Sequence, residues 1–418
     1  MVLPALLAAL ANAQTPGGDE RLNLTRLVAE ALERNPDVLA AQKRYEAMAQ
    51  RPRAASALPD PMLGVGYNAN GYPLPGAGLG TEPTSNIGFM VTQEFPYPGK
   101  RELQVKMASK EAQAEWQNYL AAQLATIAKT KLAYYRLHHA YAMSGVLDRD
   151  REILTKMLEA TEARYSAGKG MQQDIFRTQT QISILETKRL QLDRERRSAE
   201  VELNTVLNRA PGTPVAQPVE ALGHEDLPPL AEILAYANEH APAIEREQRM
   251  IERSEVALSA ARKDYYPDFA LTGGYYNMGS MPPMYMFRAD IKLPVWSRKL
   301  RAGVTEQANT VAQARKTYES AQNTVAARIQ DEYLTAESAR KLMDIFTTTV
   351  IPQANLALES ALSGYQAGQG DFMSVLQNFM TSVEYEMNYH EEMQNFHTAL
   401  ARIEEMSAMP LTHMTEAR

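Results

Sequence analysis

The sharpest polarity pattern in the chain is a strict alternation in two short segments. Between Ile87 and Phe95, the residues Ile87, Phe89, Val91 and Phe95 fall on one parity and Gly88, Met90, Thr92 and Glu94 on the other. Between Tyr285 and Leu293, Tyr285, Phe287, Ala289, Ile291 and Leu293 alternate with Met286, Arg288, Asp290 and Lys292. A period of two places the apolar set on one face of an extended chain, so both segments predict strands. Two weaker runs precede them: Leu63, Val65 and Tyr67 against Gly64, Gly66 and Asn68, and Phe269, Leu271 and Tyr275 against Ala270, Thr272 and Tyr276. The four strands are expected at about 61–70, 86–96, 267–278 and 284–295. Loops rich in Gly, Pro and Asn join each pair, from Asn70 to Ser85 and from Met278 to Pro283.

Elsewhere the apolar positions recur every three and four residues. After Gly170 the stripe reads Ile175, Ile182, Leu185, Leu192, Ala199, Leu203 and Val206, a seam of the kind that coiled coils bury. The pattern predicts long helices at about 100–164 and 171–209, and again at about 298–363 and 371–408. A shorter helix precedes each set, at about 22–57 and 230–264. A 65-residue helix is roughly 100 Å long, far more than an ordinary globular domain needs. Helices this polar gain little alone and must pack side by side.

The chain therefore carries one unit twice. Tyr165-Ser166-Ala167-Gly168-Lys169-Gly170 returns as Tyr365-Gln366-Ala367-Gly368-Gln369-Gly370. Leu58-Pro59-Asp60 answers Tyr266-Pro267-Asp268, Phe95-Pro96 answers Leu293-Pro294, and Asn35-Pro36 answers Ala241-Pro242, all in the same order. Internal repetition of this kind sets the architecture. The first repeat spans 20–211 and the second 230–410, with a Pro/Gly-rich linker at 212–229.

Composition narrows the setting. Lys and Arg number 43 against 50 Asp and Glu, a formal charge of −7, which argues against a nucleic-acid partner. There is no cysteine, so disulfides, thiolate metal sites and a lipid-modified N-terminal cysteine are excluded. Residues 1–13 read as the remnant of a signal peptide, the apolar run Val2–Leu10 followed by Ala11-Asn12-Ala13. Beyond it no run reaches the ~18 apolar residues that a membrane-spanning helix needs. A membrane can then be crossed only by strands. Segments of about ten residues, apolar on one face and polar on the other, match the lipid-out, lumen-in pattern of outer-membrane barrels. Four strands cannot close a barrel, and open edges do not survive in lipid, so this reading requires several copies. The other reading is a soluble periplasmic coiled-coil scaffold whose hairpins only cap the bundle.

Candidate chemistry is sparse. The chain lacks a P-loop, G-x-S-x-G, H-E-x-x-H and a strand-linked G-x-G-x-x-G, so no enzyme and no cofactor are expected. Met278, Met281, Met284 and Met286 gather around one hairpin, where thioethers could take Cu(I) or simply pack. Met387, His390, Met393 and His397 share a helical stripe open to the same two readings. Adjacent His138 and His139 diverge on a helix.

Taken together, these residues resemble the TolC-like outer-membrane factors, trimeric exit ducts of Gram-negative efflux and secretion systems. The resemblance rests on the duplicated strand-strand-helix-helix order and on the turns at Tyr165 and Tyr365, followed by Asp174-Ile175 and Val375-Leu376. It implies a mainly α protein with a membrane β-barrel. Three copies would each donate four strands to a twelve-stranded barrel, continued by a periplasmic tunnel of antiparallel helices. Leu58-Pro59-Asp60-Pro61-Met62 and Gln93-Glu94-Phe95-Pro96-Tyr97-Pro98-Gly99-Lys100-Arg101 resemble the branch serving heavy-metal resistance. The family implies passive conduction of cargo from an inner-membrane resistance-nodulation-division pump and a periplasmic adaptor. The cargo would be metal cations such as copper, silver, zinc, cobalt or cadmium, or instead drugs or secreted polypeptide. By the same resemblance the helix tips dock the adaptor, through Tyr165, Gly168, Lys169 and Gly170 and through Gly368, Gln369 and Gly370. The periplasmic entrance would narrow at Asp174 in the first repeat and at Tyr365, Asp371, Ser374 and Gln377 in the second.

Overall fold

The computed structural model describes residues 22–69, 74–218 and 227–412. The leader expected at 1–13, residue 70 of the first strand and the linker segment 219–226 lie outside the described residues.

In chain order the elements are α1 (Leu24–Arg34), α2 (Pro36–Met48), α3 (Arg51–Ser56), β1 (Met62–Asn68), β2 (Asn86–Phe95), α4 (Lys100–Ser166) and α5 (Gln172–Val206). The second repeat follows with α6 (Leu230–His240), α7 (Pro242–Lys263), β3 (Asp268–Met278), β4 (Met281–Lys292), α8 (Ser297–Ile345), α9 (Ile351–Gln366) and α10 (Phe372–Ser407). The duplicated order read from sequence is therefore the order of the fold.

Three boundaries differ from the sequence pattern, each for a local reason. The helices expected at 22–57 and 230–264 are broken at the two X-Pro steps. Asn35 and Ala241 are extended, with ψ near 124° and 121°, because the proline ring disfavours a helical residue before it. Asn35 also accepts from the Asp37 amide and donates to the Val206 carbonyl at 2.8 Å, tying this corner to the end of α5. The helix expected at 298–363 is interrupted by a π-helical turn at Phe346–Val350, two residues ahead of Pro352. Proline there removes a backbone donor and its ring crowds the preceding turn. The last strand is shifted: it begins at Met281 rather than 284 and stops at Lys292 rather than 295. Its loop is only Gly279-Ser280, not Met278 to Pro283. Pro282 and Pro283 are tolerated because β4 is an edge strand and its pairing with β3 is irregular there, between Tyr276 and Met278.

The four strands form one antiparallel sheet in the order β1-β2-β3-β4. β2 and β3 join the repeats, with Phe89 opposite Tyr275 and Thr92 opposite Thr272. Antiparallel pairing puts every helix connection at one end of the sheet: α3 and α7 enter there, and α4 and α8 leave there. Below it the helices lie side by side as α5, α4, α10 and α8. Salt bridges Arg136–Glu202 and Arg151–Glu186 span α4 and α5, and Arg402–Glu332 spans α10 and α8. Lys131 pairs with Glu404, and Arg149 with Glu386, between α4 and α10.

Three apolar clusters hold this layer. In one, Leu27, Val28 and Ala31 pack on Tyr134, Tyr135 and Leu203. Its counterpart in the second repeat packs Ile233 and Ile244 on Ile329, Met343 and Leu400. The third, nearer the tips, joins Leu147, Leu154, Leu185 and Leu192 to Phe372 and Phe379. The seam on α5 faces inward as its spacing requires, with Leu185, Leu192, Ala199, Leu203 and Val206 buried.

Candidate functional site

The two-faced sheet is the first functional feature. One face carries Leu63, Val65, Tyr67, Ile87, Phe89, Val91, Phe269, Leu271, Tyr285, Phe287 and Ile291, all exposed; Val65 is 79% and Phe287 88% accessible. The register stacks them across strands, Val65 opposite Phe89 and Phe89 opposite Tyr275, whose rings lie 5.9 Å apart. Soluble monomers rarely expose an apolar patch of this extent. The opposite face mixes small and polar residues with four methionines, Met62, Met90, Met284 and Met286. Thr92 and Thr272 hydroxyls bond at 2.9 Å, and the Tyr276 ring lies over Gly88 and Gly274, where an added Cβ would collide with it. The outer edges of β1 and β4 have no strand partner among the described residues.

Edges recur in the helices. Large exposed apolar side chains concentrate on α5 (Phe176, Ile184, Leu190, Val201) and on α8 and α9 (Leu334, Leu342, Ile345, Leu356, Leu362), while α10 shows none. The outermost helices thus carry uncovered apolar surface on both sides of the layer.

At the far end lie the two helix hairpins. Gly168 and Gly368 have φ of 72° and 76°, a left-handed conformation open to glycine. The turns share three bonds, among them Lys169 to the Arg164 carbonyl at 2.8 Å and Gln369 to the Gly364 carbonyl at 3.0 Å, and the second adds one from Gly370 to the Gly364 carbonyl. Their tyrosines do not match. Tyr165 is 45% exposed. Tyr365 is half-buried beneath the Arg164 guanidinium, 4.2 Å from its ring centroid, and Arg164 Nη1 donates to the Tyr365 carbonyl at 3.1 Å. Burial pushes the Tyr365 hydroxyl above the usual tyrosine range, Arg164 opposes this, and Asp174 and Asp371 add to it.

The residues expected at the entrance divide accordingly. Asp174 is buried, and it and Asp371 both lie within electrostatic reach of Tyr365, as does Arg164. Ser374 and Gln377 are exposed on one face of α10. Arg164, which joins the two tips, went unnoticed in the sequence; its place one residue before the repeated tyrosine, where the second repeat has Gly364, is the signal.

The methionine expectation separates too. Met284 and Met286 share a strand face, Met281 falls on the other parity, and Met278 and Met281 pair across the turn, so the four do not converge. His397 packs between Tyr135 and Phe396, and Met387 and Met393 pack against the apolar clusters. His139 lines a groove of about 760 Å³ between α5 and α10 with Met143, Met387, Arg194 and Glu391. Burial, with His390 and His138 nearby, pushes its ring down to about 4, so it is neutral at physiological pH. Among the described residues no three His, Cys, Asp or Glu side chains gather as a metal site, and no helix is long and apolar enough to cross a membrane.

A family model described as outer membrane efflux protein matches residues 27–209 and again 234–407, once in each repeat. The chain belongs to that family, one of passive channels rather than enzymes. Solved structures share its fold at low identity. VceC of Vibrio cholerae is 17% identical with a TM-score of 0.76, over 93% of this chain and 97% of that one. CusC is 16% identical at 0.78, over 96% and 95%. MtrE of Neisseria gonorrhoeae, solved in an open state, is 20% identical at 0.72, over 91% and 89%. No curated protein sequence matches the chain.

Proposed function

We propose that this protein is the outer-membrane exit duct of a tripartite efflux system, a homotrimer that conducts heavy-metal cations passively out of the cell. The observation that carries the channel reading is the exposed apolar sheet face bounded by two unpaired edges. Lipid would cover the face, and β1 of one copy pairing with β4 of the next would remove the edges, giving a closed barrel. The helical layer repeats this logic, since most of its uncovered large apolar residues lie on α5 at one side and on α8 and α9 at the other. The opposite sheet face then lines an aqueous interior.

At the other end, the entrance closes around Asp174, Tyr365 and Asp371, with Ser374 and Gln377 on the exposed face of α10. The adaptor docks on the two glycine turns, through Tyr165, Gly168, Lys169, Gly170, Gly368, Gln369 and Gly370. Docking untwists the helix pairs and admits cargo from a resistance-nodulation-division pump. Asp371 is exposed beside the second turn and, repeated by threefold symmetry, would attract cations, which supports a cationic cargo. The sequence resemblance at Leu58–Met62 and Gln93–Arg101 to the heavy-metal branch supports the choice of metals.

A deletion strain tests the cargo. Grown across copper, silver, zinc, cobalt and antibiotic gradients, it is expected to lose tolerance to at least one metal and to regain it with the gene restored. Sensitivity to antibiotics alone would reassign the cargo to drugs. Release of the protein by osmotic shock rather than with the membranes would remove the channel itself in favour of a periplasmic scaffold.

A further inference from the structure

The junction between sheet and helices has a charge character unlike the rest of the chain. From Lys292 to Thr305 there are four basic residues, Lys292, Arg298, Lys299 and Arg301, and no acidic one, in a protein whose formal charge is −7. Arg101, at the corresponding point after β2, makes a fifth. Lys292, Arg101, Arg298, Lys299 and Arg301 are all exposed. Arg101, Arg298, Lys299 and Arg301 have no carboxylate within ion-pair distance among the described residues. Three of the acids nearby are committed elsewhere: Glu102 to Lys106 at 2.7 Å, Asp290 to Arg288 at 3.0 Å and Asp268 to Lys100 at 2.9 Å.

These cations adjoin the apolar face directly. Leu293, Val295 and Trp296 lie between Lys292 and Arg298 and are 66%, 67% and 76% exposed. Tyr265 and Tyr266 are also exposed at this level, and Tyr266 stacks on Tyr97 at 4.6 Å. Exposed Trp and Tyr at the end of an apolar strand band mark the boundary between hydrocarbon and headgroups. All four helix connections lie at this end of the sheet, so the boundary is the one on the helix side. Just past it in sequence stand the exposed Arg101 on α4 and Arg298, Lys299 and Arg301 on α8, where headgroups would lie if lipid covers the apolar face.

We propose that this collar binds the headgroups of anionic phospholipids in the inner leaflet of the outer membrane. Arg101, Arg298, Lys299 and Arg301 contact phosphate, and Trp296 anchors the acyl boundary beside them. Arg guanidinium supplies paired donors to phosphate oxygens, and Lys299 acts as a point charge. Lys100 takes no part, because it is held by Asp268 and by the Tyr266 carbonyl at 3.0 Å. The inference rests on the reading of the apolar face as lipid-facing, and the test separates the two.

The chain has two tryptophans, so Trp116→Phe leaves Trp296 as the sole reporter. That protein is reconstituted into phosphatidylcholine vesicles in which either brominated phosphatidylcholine or brominated phosphatidylglycerol quenches Trp296. The expected result is a preference for phosphatidylglycerol of about threefold or more, falling to parity in the variant R101Q/R298Q/K299Q/R301Q. On the unsubstituted collar, raising the salt to about 0.5 M should also abolish the preference, which keeps the test valid if the variant does not fold. Equal quenching by both lipids with the collar intact overturns the proposal, as does a preference that survives in the variant. Quenching by neither lipid would instead remove Trp296 from the membrane and overturn the channel reading beneath it.

Discussion

Asp150 shows how far a single side chain can depart from what its neighbours in sequence announce. It lies on α4 at 2% exposure, and its Oδ2 atom has no hydrogen-bond partner among the described residues. Burial pushes its carboxyl from 3.8 up to about 6; Arg149 and Lys188 pull it down, and Glu386 pushes it further up. The folded chain therefore holds this proton more tightly than the unfolded one. Stability is highest with the proton on and declines as pH rises from about 4 through 6, levelling above that. Asp150→Asn keeps the shape and removes the titration. The gap in melting temperature between variant and wild type should thus widen in the variant's favour between pH 4 and 7, and a constant gap would show that the carboxyl carries no such burden. Nothing in the stretch Leu147-Asp148-Arg149-Asp150 marks this residue, because the groups around it include Lys188 of α5 and Glu386 of α10, which are remote in sequence. The tip glycines are the opposite case. Gly168 and Gly368 are legible because a left-handed turn leaves few alternatives, and the chain repeats the solution.

Among the elements, the strands were the most readable and their ends the least. Period two is a property of the extended chain itself, so the alternation in β2 and β4 reports the two faces of the sheet directly. Where β4 starts depends on its place at the edge, which admits Pro282 and Pro283, and edge position is not visible in one strand. The same limit applies to α8: an apolar stripe continues through Phe346–Val350, so periodicity alone shows no interruption. The sheet supplies the sharpest test at this scale. Phe89 sits in the middle of β2, opposite Val65 on one side and Tyr275 on the other. Phe89→Arg places a charge at the centre of the lipid-facing band and should cost about 2–4 kcal/mol, read as lost trimer in outer-membrane fractions. Gly66, of the other parity, should accept Ser with little effect; equal damage at both positions would contradict the assignment of faces.

For the whole molecule, the open edges dictate association. Both the sheet and the helical layer end in uncovered surface, and both ends belong to the same pair of sides, α5 with β1 and α8–α9 with β4. In detergent the protein should sediment at three times the 46.6 kDa of the chain. Leu190→Asp with Leu356→Asp, which charges one residue on each outermost helix, should shift it toward single copies. A wild-type sample that sediments as one copy would exclude the closed ring. The repeat and the long helices were legible in the chain, since they follow from periodicity. The tip contacts were not, because Arg164 and Tyr365 meet only after two distant hairpins are laid side by side.

The unpaired margins of the sheet also bear on how the molecule comes into being. A newly made copy, before it meets its siblings, offers two rows of unmet backbone donors and acceptors beside a greasy wall. In water such a species adheres to any strand it encounters, including another copy in the wrong register. If the chain acts as the proposed trimer, assembly must outrun misassociation, and the solitary copy is a transient that an escort or immediate contact with lipid has to shelter.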